Sequence, residues 1–118
     1  MLVKRSLRKK LGIKKITEYT LRIGPAERYR HLHESLHGRI RHFCVQLEVR
    51  IDGIWMPVVR YDTAHGFAHR DILDRKGNNI EKTPLFGMDY NDALTFAESD
   101  LKANWAFYKH LFEKGKKP

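Results

Sequence analysis

The sequence predicts an α+β domain: a four- or five-stranded antiparallel meander packed against a long C-terminal helix. Three observations carry that expectation. Phe43, Val45, Leu47, Val49 and Ile51 alternate with His42, Cys44, Gln46, Glu48 and Arg50, which is the two-residue period of a strand with one wet face. Tyr90, Leu94, Ala97, Leu101, Trp105, Tyr108 and Phe112 recur at helical spacing and would form one apolar stripe. The length of 118 residues, 42% of them hydrophobic and 31% charged, suits one domain with one core. It is too apolar for a disordered chain and too polar for a membrane protein.

Taken in order, residues 1–15 read as a basic arm and residues 16–118 as the single α+β domain. The arm carries Lys4, Arg5, Arg8, Lys9, Lys10, Lys14 and Lys15 and no acid. Residues 16–23 are rich in β-branched and aromatic types and read as a strand that Gly24-Pro25 ends. Residues 26–37 are ambiguous. Tyr29, Leu32 and Leu36 fit a helix face, but a strand turning at His37-Gly38 agrees better with the meander that follows. After the alternating run of 39–51, Asp52-Gly53 is a favoured type I′ hairpin turn, and Ile54–Asp62 is the returning strand. Pro57 lacks a ladder donor, so it should face an edge or a bulge. His65–Leu73 reads as another strand, closed by the turn signals of residues 74–78, and Asn79–Lys82 as a short last one. Asp89 is the candidate N-cap of the helix, with Asp92 three residues on, and Gly115 supplies the stop. About 25 helical residues would span about 37 Å, and their aromatic stripe reads as core covering the sheet.

Charge narrows the partners. Lysine plus arginine number 23 against 14 acids, a net charge of +9, which favours polyanions. Between Arg22 and Arg60 every basic residue other than histidine is arginine, whose planar fork suits phosphate better than the point charge of lysine. The ends therefore read as electrostatic tails, Lys9 and Lys10 among them, and the middle as a place where geometry matters. No run of about 18 apolar residues is present, and no apolar segment follows the basic start, so neither a membrane span nor a secretory signal is expected and the cytoplasm is the expected location. The single Cys44 excludes an internal disulfide and a multi-cysteine zinc site. Walker A, dinucleotide-fingerprint, His-Glu-x-x-His and Cys-x-x-Cys patterns are all missing.

The chemistry concentrates in residues 59–71, which hold Arg60, Asp62, His65, His69, Arg70 and Asp71. These groups suit acid–base work on an RNA phosphodiester that supplies its own 2′-hydroxyl nucleophile. His65 and His69 would share base and acid roles, Asp62 would orient an imidazole, and Arg60 and Arg70 would hold the phosphate. Tyr61 and the arm lysines Lys9 and Lys10 would help to bind. No cofactor is required. A metal site is the weaker reading, because His65 and His69 on a continuous strand would lie about 13 Å apart. Gly66 could fold the chain and shorten that gap, and His31 and His33, about 6.6 Å apart on an extended strand, could help. The same charges also suit cross-strand ion pairs on a solvated face. Cys44 beside His42 reads as structural, since neighbours on one strand face sit about 6–7 Å apart, too far for a nucleophile pair.

Residues 43–77, about a third of the chain, resemble a group of small prokaryotic proteins that pair a Leu-Glu…Gly-x-Trp…Val-x-Arg-Tyr-Asp hairpin with a His-rich turn. More loosely, Arg60-Tyr61-Asp62, His65 and His69 resemble the motif of TumE-like toxins of type II toxin–antitoxin systems. That resemblance implies action on RNA or translation and neutralisation by an antitoxin protein. The dense histidine cluster of the toxin pattern is lacking here. The expected function is thus an RNA-directed basic protein, a metal-independent toxin-type endoribonuclease at its most specific. A non-catalytic module for nucleic acid or an acidic protein, and a self-associating structural protein that forms a homodimer, stand as alternatives.

Overall fold

The computed structural model describes residues 14–115. Six strands run in chain order, β1 (Lys14–Gly24), β2 (Glu27–Leu36), β3 (Arg39–Ile51), β4 (Ile54–Asp62), β5 (His69–Leu73) and β6 (Asn79–Pro84), followed by helix α1 (Tyr90–Lys114). Every neighbouring pair is antiparallel and the sheet order is the chain order. The meander therefore has six strands rather than four or five. Residues 27–36 resolve as strand because they are held between β1 and β3 along their whole length, and local helical spacing cannot compete with two ladders of backbone hydrogen bonds.

Each tight turn has a local cause. His37 and Gly38 have φ of 52° and 76°, and Asp52 and Gly53 have φ of 52° and 78°, the paired positive angles of a type I′ hairpin. Pro57 sits at a register shift: Val59 pairs with Leu47 and Pro57 with Glu48, so Val58 is an extra residue on β4. The fifth strand begins at His69, not His65. Asp62 Oδ1 accepts from the Ala64 amide at 3.1 Å, Gly66 donates to the Thr63 carbonyl and Gly66 takes φ 83°. This side-chain-capped turn cannot continue a strand. The first strand also begins earlier than expected. Lys14 and Lys15 pair with Leu36 and Ser35, and Lys14 reaches Glu34 at 2.9 Å, so they belong to the sheet and not to an arm. Lys9 and Lys10 lie outside the described residues.

The helix packs chiefly over β3 and β4. Its Leu94, Ala97, Leu101, Tyr108 and Phe112 meet Phe43, Val45, Leu47, Val49, Val59 and Tyr61 in the core. Asp89 caps its start by accepting from the Asp92 amide at 2.8 Å, and Gly115 ends it in the left-handed region at φ 70°. Among the described residues no helix is long and apolar enough to cross a membrane.

Polar contacts also fix the helix to the sheet. Lys109 Nζ lies 2.6 Å from the carboxylate of Glu27, which is only 2% exposed. Further along, Asp100 Oδ2 accepts from both Tyr61 (2.7 Å) and Tyr108 (2.6 Å), and Arg70 donates to the Tyr108 hydroxyl at 3.1 Å. Burial, and then the bond to Asp100, push the Tyr108 hydroxyl up to about 12, so both tyrosines stay protonated donors. Asp100→Ala leaves two buried hydroxyls without their acceptor and should lower unfolding free energy by about 2–3 kcal/mol. A urea titration reads this as a lower midpoint at constant slope; an unchanged midpoint would remove Asp100 from the account of helix docking.

Candidate functional site

Alternation of side chains across β4 and β5 divides the residues that the sequence groups together. Tyr61 pairs with Arg70, and both side chains contact helix residues. Arg60 pairs with Asp71 and Asp62 with His69, and these four occupy the opposite, helix-free face. Arg70 donates to Tyr108, Glu81 and Thr83, which commits it to the layer between sheet and helix. It therefore cannot join Arg60 on one phosphate, and Tyr61 is buried in the same layer.

On the open face, Asp62, His69 and Asp71 converge. His69 Nε2 lies 3.0 Å from Asp62 Oδ1 and 3.4 Å from Asp71 Oδ2, and Nδ1 lies 3.2 Å from the Phe67 carbonyl oxygen. The side chain of His69 is 1% exposed. His65 is exposed and stacks on it with ring centroids 5.6 Å apart. The loop of residues 63–68 brings the two rings together, where an extended strand would have parted them. Only His65 of the pair is open to a solvent-borne group.

A second group lies along the same face on β1–β4. Buried Glu48 receives Arg28 Nε at 2.6 Å, Arg30 Nη1 at 3.3 Å and Gln46 Nε2 at 2.6 Å. Gln46 Oε1 in turn accepts from Arg60 Nε at 2.7 Å. Arg28 also lies 4.1 Å above the centre of the Trp55 ring, which Arg22 and Arg50 approach at 5.3 and 6.0 Å. One continuous chain thus runs Trp55–Arg28–Glu48–Gln46–Arg60. Beside it lies a groove of about 620 Å³ lined in part by Thr20, Arg30, Leu32, Cys44, Gln46 and Arg60. Burial, then the nearby Asp62 carboxylate, push the Cys44 thiol up, the opposite of what a nucleophilic cysteine requires. Among these residues only Arg60 stands out in the sequence as a binding residue. Trp55, Arg22, Arg28, Arg30 and Arg50 come into view through the strand pairing, although the lysine-free, arginine-only stretch is their sequence signal.

The region of unknown function DUF7718 matches residues 13–118. The chain belongs to this family. The match offers no link to TumE-like toxins, and no curated protein and no solved structure matches the chain. The DUF7718 match begins one residue before β1 and takes in the whole sheet and helix.

The other histidine pair of this DUF7718 chain lies on the helix side. His31 Nδ1 is hydrogen-bonded to the Tyr29 hydroxyl at 2.7 Å and Nε2 to His33 Nδ1 at 2.6 Å. Tyr19 stacks on the His31 ring at 4.5 Å, and Glu98 lies 3.6 Å from it. Burial, then the neighbouring His33 and Lys102, hold His31 down at about 4 against its ordinary 6.5. The folded state therefore binds fewer protons than the unfolded chain in this window. The stability that neutral His31 contributes is complete above pH 6.5 and is lost as pH falls from 6.5 to about 4. The loss is on the order of 3 kcal/mol. Denaturant unfolding of the parent and of His31→Phe across that range should show the steeper acid loss in the parent; parallel curves would exclude His31 as its source.

Proposed function

We propose that this protein is RNA-directed and binds single-stranded RNA across the open face of its sheet. The observation that carries the reading is the groove walled by Arg30 and Arg60, which the contacts Arg60–Gln46–Glu48–Arg28 link to Trp55 on the same face. Five arginines stand along this face: Arg28 and Arg30 on the buried carboxylate of Glu48, Arg60 on Gln46, and Arg22 and Arg50 beside Trp55, with Glu18 on the groove wall. The surplus positive charge matches the chain's net +9. Guanidinium forks suit phosphate, and indole and guanidinium planes accept stacked bases without demanding one sequence. Glu48 and Gln46 hold Arg28, Arg30 and Arg60 in place before any ligand arrives, which lowers the ordering cost of binding.

The geometry supports binding over metal-independent cleavage. A two-histidine mechanism needs both rings at the phosphate. His69 is enclosed and engaged by two carboxylates and a backbone carbonyl, while Arg70 and Tyr61 lie under the helix.

The test is fluorescence anisotropy of a labelled single-stranded RNA over a salt series. The parent should bind with an affinity that falls as salt rises. Arg30→Ala/Arg60→Ala should bind at least tenfold more weakly and reduce the salt slope by about 1.4, roughly 0.7 per lost phosphate contact. Trp55→Leu should weaken binding with little change in slope, because stacking releases no counterions. Salt-sensitive binding that is identical in the parent and the double arginine variant would move the RNA off this face; no binding by the parent would overturn the reading itself.

A further inference from the structure

We infer that Asp62, His69 and Asp71 form a binding site for a first-row divalent metal ion such as Zn²⁺ or Mn²⁺. One ligand atom from each lies within 4.8 Å of the others. Donors around one ion at about 2.0–2.2 Å are themselves about 3–4 Å apart, so a small inward adjustment closes the set. One imidazole nitrogen with two carboxylates suits ions that accept mixed nitrogen and oxygen donors. Three protein ligands leave room for water on the ion.

The surroundings hold each ligand as a metal site requires. With Nδ1–H donating to the Phe67 carbonyl, neutral His69 turns its Nε2 lone pair toward Asp62 and Asp71. Nε2 then faces carboxylate oxygens at 3.0 and 3.4 Å, three acceptors that converge on one another, of which Asp62 Oδ1 also accepts from the Ala64 amide at 3.1 Å. A cation belongs at that point. Asp71 Oδ1 is held from behind by Asn79 at 2.8 Å and Lys82 at 3.5 Å, which directs Oδ2 at His69. The side chains of His69 and Asp71 are 1% and 9% exposed, and that of Asp62 is 16% exposed. Asp62 also lines a recess of about 310 Å³ with Leu32, Phe43, Cys44 and Thr63, which gives an ion a route from solvent. The competing occupant of the same point is a proton, which would make His69 an imidazolium. This inference stands independently of RNA binding.

The decisive measurement uses the full chain, stripped of metal with EDTA and exchanged into buffer. Zn²⁺ and Mn²⁺ are titrated in separately by calorimetry near neutral pH, and the His69 ring nitrogens are followed by ¹⁵N NMR with Zn²⁺. Saturable binding of one ion per chain is expected, with His69 Nε2 moving to a metal-bound shift while Nδ1 stays protonated. Asp71→Asn should bind at least tenfold more weakly. Asp62→Asn, at the solvent edge of the site, should do the same and covers the case in which the Asp71 variant fails to fold. His110→Ala, on the exposed side of the helix, should bind as the parent does. A His69 ring that keeps both nitrogens protonated at saturating Zn²⁺ would overturn the site in favour of the proton. So would the lack of saturable binding of either ion, or parental affinity in both folded aspartate variants.

Discussion

The pairing register between β4 and β5 is the constraint on which the rest of this structure depends. Tyr61 opposite Arg70 and Asp62 opposite His69 place one pair in the layer beneath the helix and the other on the helix-free face. A slip by one residue would turn β5 over. Arg70 would leave Tyr108, and His69 and Asp71 would be driven into the layer beneath the helix, away from Asp62. The register is secured from both sides. Above the sheet, Asp100 takes both tyrosine hydroxyls and Arg70 bonds Tyr108. Below it, His69 is held by Asp62, Asp71 and the Phe67 carbonyl.

Buried carboxylates do most of the organising on both faces. Glu27, Glu48 and Asp71 are 2%, 4% and 6% exposed, and each has cations or amide donors fixed on it. Removing a carboxylate from water is costly unless its lone pairs are taken up. Each such acid therefore dictates where its partners stand. Glu27 holds Lys109 of the helix, Glu48 arranges Arg28 and Arg30 with Gln46, and Asp71 gathers His69, Asn79 and Lys82. Their value is less in net stability than in a fixed geometry for the groups that face solvent. Arginine is the residue type that serves this purpose, since its fork can satisfy a buried acid and still present donors outward.

The aromatic residues divide by the same logic. Trp105, Tyr108 and Phe112 pack toward the sheet, as an apolar stripe on one helix face must. Trp55 sits instead among arginines on the helix-free face. A tryptophan surrounded by guanidinium groups keeps its ring faces available to planar cations and bases rather than to aliphatic side chains.

The sequence by itself determined the α+β class, the 39–51 and 54–62 hairpin with its Asp52-Gly53 turn, and the helix from its Asp89 cap to Gly115, and it restricted Pro57 to an edge or a bulge. These follow from interactions within a few residues: side-chain period, turn dihedrals and capping bonds. Residues 27–36 were legible only halfway, because a helical spacing of Tyr29, Leu32 and Leu36 is also compatible with a strand until β1 and β3 flank it. The sequence also marked residues 59–71 as chemically dense, but it could not divide them. Adjacent positions in a strand look contiguous in a string and lie on opposite faces in a sheet, so Arg70 and Tyr61 left the group that Arg60, Asp62 and His69 retained. Only the tertiary structure joined Asp71 to Asp62 and His69, and Arg28 and Arg30 to Arg60, because those meetings are made between neighbouring strands of the sheet, where no pattern along one strand records them.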